Sequence, residues 1–230
     1  PPAILPAKLK RRLTAPKGDS EPINLITSQA DVWLPRGKEI RFAVGHLALG
    51  YILSKASAKL LKTNINVPTA LVLSVIPDID ILIPVLAHRG PTHSIIMAFI
   101  IFIPIFAVYR QKAAPYFLAL VSHSLIGDYI AGGRTQLFWP ATPNHYGIEL
   151  HIQSPTNITL EWTLFLMSTI IMLKSKDLFA FFQKKNSNLI LSVPTFTVLL
   201  PTFLSFPLNV PDWLIPPHLV YLTMFLASIV

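Results

Sequence analysis

Ser94-Ile95-Ile96-Met97-Ala98-Phe99-Ile100-Ile101-Phe102-Ile103-Pro104-Ile105-Phe106-Ala107-Val108-Tyr109 carries no charge and is dominated by Ile and Phe. A helix made of this run has no polar side, so it belongs in a large core or in lipid. The rest of the chain favours lipid. Of its 230 residues only 13% are charged, and 52% are hydrophobic, where soluble domains carry about 25% charged residues. A chain so poor in charge cannot coat a globule with solvated groups, which excludes disorder and argues against a soluble enzyme. Cysteine is absent, so disulfides, cysteine-ligated zinc and thiol nucleophiles are excluded. The net charge of +8 comes from Lys and Arg scattered between apolar stretches, as in flanks of membrane segments rather than a nucleic-acid surface.

Further apolar segments lie on both sides of this run. Residues 42–61 are apolar with Lys55 and Lys59 near one end, and residues 65–77 stop at Pro77-Asp78. Residues 114–130 embed His123 and Asp128, and residues 158–173 are apolar apart from Glu161. Residues 189–210 are uncharged but interrupted by Pro194, Pro201 and Pro207, and residues 213–230 enclose His218. Several of these fall short of the roughly 20 residues that cross a bilayer upright. Prolines are tolerated in membrane helices where neighbours cover the freed backbone groups. The expected fold is all-α, a polytopic integral membrane bundle of about five to seven helices, some short or broken. Residues 1–40, with six prolines and the basic run Lys8, Lys10, Arg11 and Arg12, read as a flexible solvated arm. No apolar run follows them as a signal peptide requires. Residues 41–230 form the transmembrane domain of a multi-pass protein of the cell (cytoplasmic or inner) membrane. Orientation stays open. Lys62, Arg110, Lys112, Lys174 and Lys176 lie at the ends away from His46 and would place that residue outside the cytoplasm, while the basic arm argues the reverse.

Ionisable residues inside apolar segments are costly and by default mark a functional site. Asp78 and Asp80 follow Pro77, two carboxylates that repel each other in a low dielectric unless a cation stands beside them. The plainer alternative has Asp80 capping the next helix and Asp78 paired with Arg89. In His88-Arg89-Gly90-Pro91-Thr92-His93-Ser94, Gly90-Pro91 turns the chain and holds two imidazoles close, while Thr92 and Ser94 can cap the helix from Ile95. Two histidines shortly after Asp-x-Asp make a metal-ligand set, against a hydrogen-bonded loop with incidental histidines. Arg89 beside them suits an anionic group such as phosphate. His123 and Asp128 are five apart, ~140° around an ideal helix, so they converge only if the helix bulges or breaks near Gly127. His46 opens the first helix, where an interfacial role competes with ligation. Glu161 is a supporting group or a ligand. His145 and His151 read as solvent-exposed, His218 as structural, and Asp212-Trp213 as a helix cap followed by an interfacial anchor.

Gly45-His46-Leu47, Leu73-Ser74-Val75-Ile76-Pro77-Asp78-Ile79-Asp80, the loop His88 to Ser94, and Ser122-His123 through Asp128 to Leu137-Phe138-Trp139-Pro140 resemble, in order and spacing, the YdjM family. Its members are membrane-bound proteins classed as metal-dependent hydrolases, and the resemblance covers residues 43–165. It implies a helical fold remotely similar to zinc-dependent phospholipase C and P1-type nucleases, which bind metals through His, Asp and Glu and cleave phosphoesters. Carried over by position, it makes His46, Asp78, His88, His93, His123 and Asp128 metal ligands and Asp80 a weaker ligand or a base. This chain has four residues between His123 and Asp128 where the family pattern has three, and the family has no counterpart of the arm.

The expected function is hydrolysis by a metal-activated water, with one or two divalent ions, zinc first and manganese or another metal as alternatives. Asp80 would accept a proton and Arg89 neutralise a phosphoryl oxygen. By analogy the substrate is a phosphoester, and helix ends at headgroup level favour lipids or lipid-linked molecules. Membrane lipids are the expected partners and nucleic acid is not; nothing in the sequence sets the oligomeric state. Two other classes compete. One is an ion- or proton-coupled transporter, for which matching halves would be expected. The other is a non-catalytic scaffold whose metal fastens helices, for which a saturated coordination shell would be expected.

Overall fold

The computed structural model describes residues 43–230 except 84, 132, 149, 184 and 205–209, and the arm over residues 1–40 lies outside the described residues. Residues Ile40–Val230 form one compact unit. Helix α1 spans Ala43–Leu60 and α2 spans Val67–Leu73, followed by a 3-10 turn over Ile76–Leu82. A second 3-10 turn, Pro91–His93, leads into α3, Ile95–Tyr109. Helix α4, Ala114–Ser122, continues as a π-helical turn over His123–Asp128. After the loop come α5, Pro155–Lys174, and the short α6, Asp177–Ala180. The stretch from Asn186 is broken, as its prolines predict, into a 3-10 turn (Asn186–Leu191), α7 (Ser192–Pro194), a π turn (Thr195–Leu199) and α8 (Leu200–Leu204). A 3-10 turn, Asp212–Leu214, precedes α9, Ile215–Ile229. Among the described residues no strand forms, only isolated bridges at Ala131–Leu150 and Thr135–Tyr146. The chain is a helical membrane protein, as its composition requires.

Helix α1 packs along α4 and α5. Leu47 and Tyr51 are buried with Leu71, Phe165, Leu199, Tyr221 and Phe225. Close approach needs small residues: a Cβ on Gly50 would collide with Ser74 on the turn after α2. Polar groups inside the bundle are tied down, Ser54 donating to the Pro115 carbonyl at 2.9 Å and Tyr51 to Asp177 at 2.7 Å. Local chemistry sets the helix starts. Asn66 caps α2 by accepting from Thr69 N–H at 3.0 Å, and Ser94 caps α3 by accepting from Met97 N–H at 3.1 Å. Asp212 differs from the expectation of a capping side chain: it sits inside its 3-10 turn, and its carbonyl, not its carboxylate, accepts the Ile215 N–H.

Among the described residues three stretches are long and apolar enough to cross a membrane: Ile95–Asp128, Pro155–Lys174 and Asn186–Leu204. The first reverses at Arg110, whose φ is 51°. Ring contacts of Phe99 and Phe102 with Phe117, and of Tyr109 with Tyr116, show α3 and α4 lying side by side. The decisive run 95–109 buries only Ala98. Phe99, Ile100, Ile103 and Phe106 are about half exposed or more, which in a membrane means facing lipid.

Candidate metal centre

The short elements that end or interrupt helices build the site. The turn Ile76–Leu82 supplies Asp78 and Asp80, Pro91–His93 supplies His93, the π turn supplies His123 and Asp128, and the start of α1 supplies His46. The π turn answers the spacing problem. In a helix with i→i+5 hydrogen bonds, residues five apart stack one turn above the other. His123 Nε2 thereby stands 3.4 Å from Asp128 Oδ2, and the extra residue relative to the family pattern is absorbed in one wide turn.

Four donor atoms converge. His93 Nε2 is 3.2 Å from His123 Nε2, 3.4 Å from Asp78 Oδ1 and 3.1 Å from Asp128 Oδ2. His123 Nε2 is 3.4 Å from Asp78 Oδ1 and again 3.4 Å from Asp128 Oδ2. The donors form two triangles that share the His93–His123 edge, Asp78 closing one and Asp128 the other. Zinc bonds of 2.0–2.1 Å at tetrahedral angles require edges of about 3.3–3.4 Å, and the observed spread straddles that value. Neutral N–H···O contacts favour about 2.9 Å. The donor set therefore fits a small divalent cation, with both histidines aiming the same nitrogen inward.

The opposite ring nitrogens explain that aim. His123 Nδ1 lies 2.8 Å from the Ser74 carbonyl, which can only accept, so Nδ1 carries a proton and Nε2 is the nitrogen that offers a lone pair when the ring is neutral. His93 Nδ1 lies 3.3 Å from Asp80 Oδ2 and 3.0 Å from Thr92 Oγ1. Asp80 is thus engaged on the outer side: its Oδ1 meets His88 Nδ1 at 2.8 Å, and its Oδ2 accepts from Thr92 at 2.7 Å. It caps no helix. Burial resists ionisation of Asp80, but hydrogen bonds from His88 and His93 outweigh it and hold the carboxyl below its usual range. Burial likewise resists charging His93, yet Asp128, Asp78 and Asp80 around it push its pKa up to about 10. Three carboxylates around one imidazole call for positive charge.

His46 and Arg89 flank this core. The His46 ring stacks on His123 with centroids 4.0 Å apart, and its Nε2 is 3.8 Å from Asp128 Oδ1. The Arg89 guanidinium stands 3.6 Å from Asp128 Oδ1 and lies over Gly133, where a side chain would meet it. Among the described residues three groups could hold an ion: His46, His123 and Asp128; Asp78, His93 and His123; Asp80, His88 and His93. All six sequence-derived ligands and Asp80 appear among them. Glu161 joins none of these groups. Its carboxylate accepts the Gly45 N–H at 2.6 Å and so fixes the backbone beside His46. His145 and His151 are exposed, whereas His218 is buried in α9 with Nδ1 2.7 Å from the Leu214 carbonyl.

Sequence reasoning took Thr92 only as a cap and missed the Ser74 carbonyl altogether. A backbone acceptor leaves no residue-type signal. Gly127 carried one: a Cβ there would collide with the His46 ring. Gly127→Ala is expected to push His46 aside and weaken metal binding about tenfold, the size of effect typical of residues that orient ligands. Chelator competition measures it, with unchanged helical circular dichroism as the check on folding.

No curated protein and no solved structure matches the chain. Residues 42–206 match the family model described as YdjM inner membrane protein, beyond the 43–165 that carry the motifs. With most of its length so matched and the motif residues gathered in one place, the chain belongs to the YdjM inner membrane protein family.

Proposed function

We propose that this protein is a multi-pass membrane hydrolase that uses one or two divalent ions, zinc first, to cleave a phosphoester. The observation that supports it most is the approach of Asp78 and Asp128 to within 3.4 Å of both His93 Nε2 and His123 Nε2, which themselves stand 3.2 Å apart. An ion held there supplies Lewis acidity, lowering the pKa of a water and drawing charge from a phosphoryl oxygen. The chain's own groups do the rest. Asp80 holds His93 and His88 by their Nδ1 atoms, so that His88 is placed to take a proton from water and return it to the leaving oxygen. Arg89 offers a fixed positive charge to the phosphoryl group. In the balanced reaction the water oxygen bonds to phosphorus, the phosphorus–oxygen bond to the alcohol breaks, and a water proton ends on that alcohol.

A second reading rests on the same spacing. Four protein donors fill a tetrahedral shell, and filled shells are typical of structural zinc. A fastening ion, however, has no use for Arg89 or for His88 at the exposed rim. Metal analysis of detergent-purified wild type beside a His88→Ala/His93→Ala variant, followed by a screen of phosphoesters, separates the readings. The hydrolase reading expects one or two ions per chain, lost in the variant, together with turnover. Bound metal with no turnover leaves the fastener. Absence of metal even after supplementation transfers the buried His and Asp groups to a proton or ion pathway and makes the carrier the better account.

A further inference from the structure

The turn Ile76–Leu82 and the residues after it have two faces of opposite chemistry. Asp78 and Asp80 are 0% and 2% exposed, while Ile79, Ile81, Leu82 and Ile83 are at least 36% exposed and Val85 is 89% exposed. Between Ile79 and His88 the buried Asp80 is the only charged residue. This apolar strip is too short to cross a membrane. The turn Ile76–Leu82 packs on Pro91–His93 at the foot of α3 and on the turn Thr195–Leu199, so the strip it carries lies beside two of the stretches able to cross one. The most exposed histidine of the centre lies just after this strip. The His88 side chain is 28% exposed, against 10% for His46 and 1% or less for Asp78, Asp80, His93, His123 and Asp128. His88 contacts Asp80, which sits between the exposed Ile79 and Ile81.

We propose that the centre is entered sideways from the bilayer over a sill of Ile79, Ile81, Leu82, Ile83 and Val85, and that its substrate is a membrane lipid carrying a phosphoester in its headgroup. A soluble phosphate monoester or diester gains nothing from this rim. It would shed water against apolar side chains with no exposed cation in the strip to receive it. A lipid keeps its chains against the sill, in surroundings like those it leaves, and moves only its headgroup towards His88. The identity of the substrate rests on the hydrolase reading above; the seat of the sill in the bilayer does not.

The absence of cysteine makes each half of this separately testable. Leu82→Cys, Val85→Cys and, as a water-facing reference, His151→Cys are each spin-labelled in the full-length protein in phosphatidylglycerol vesicles. Labels at 82 and 85 are expected to collide more with oxygen than with a water-soluble nickel complex, and the label at 151 the reverse. Nickel-favoured collisions at 82 and 85 overturn the sill. Metal-loaded wild type and a Leu82→Asn/Val85→Asn variant are then compared on phosphatidylglycerol and on a short-chain soluble phosphodiester. The variant is expected to lose at least about tenfold in lipid turnover and to stay within about twofold on the soluble ester. Equal losses on both, or no loss on lipid, overturn lipid entry. Metal-loaded wild type that cleaves neither ester removes the hydrolase reading and the lipid substrate with it, and the spin labels still decide where the sill lies.

Discussion

His93→Ala is expected to leave the purified protein with less than about 0.1 divalent ion per chain, where one or two are expected for wild type, by mass spectrometry of the metal. His93 Nε2 takes part in three of the five donor contacts, as many as His123, and its Nδ1 meets two further side chains, Asp80 and Thr92, where that of His123 meets only a backbone carbonyl. Removing it takes away a donor and releases the hydrogen-bonded group behind that donor. It also leaves Asp78 and Asp128 buried with less positive charge around them, a loss on the order of 3–5 kcal/mol when a buried charge loses its partner. Stability should therefore fall along with metal, and chelated wild type should fall part of the way. His218→Ala supplies the contrast. That histidine is also fully buried, but it bonds the Leu214 carbonyl in the turn that opens its own helix. Its loss should lower the unfolding temperature and leave the metal count unchanged. Metal retained in His93→Ala would remove the centre from the account.

The sequence announces helices through uncharged runs and the site through charges where runs stop, because both follow from the cost of polar groups in lipid. The run 94–109 and the break at Pro77-Asp78 were legible for that reason, as were the paired histidines of the 88–94 loop. The direction of each histidine was not. It depends on what the far nitrogen meets, and the Ser74 carbonyl meeting His123 Nδ1 is a product of packing between α4 and the turn after α2. Asp80 shows the same limit from another side. A carboxylate beside a metal site can be a ligand, a base or an outer support, and its hydrogen bonds to His88 and Thr92 come from a loop that folds back over it. The role of Glu161 likewise depends on α5 lying against the first turn of α1, a contact between residues 116 positions apart.

Inserting one alanine between Leu125 and Ile126 is expected to abolish metal binding, whereas deleting Leu125 should preserve it. The reason is the π turn His123–Asp128. With four residues between them, His123 and Asp128 share a face only because the backbone there bonds i→i+5; an α-helix would set them ~140° apart. Deletion leaves three residues between, and an ordinary α-helical turn then places residues four apart on one face, ~40° from alignment. The side chain removed is 39% exposed and lies outside the cluster, so the shorter helix keeps its donors. Insertion leaves five residues between, and neither an α turn nor one π turn aligns them. Metal counts on the two variants, each checked for helical content, read this directly. If the deletion loses metal while folded, the wide turn does more than restore alignment, and the match between this chain and the shorter family spacing is not geometric. If the insertion keeps metal, Asp128 is no ligand and His46, which stacks on His123, takes its place.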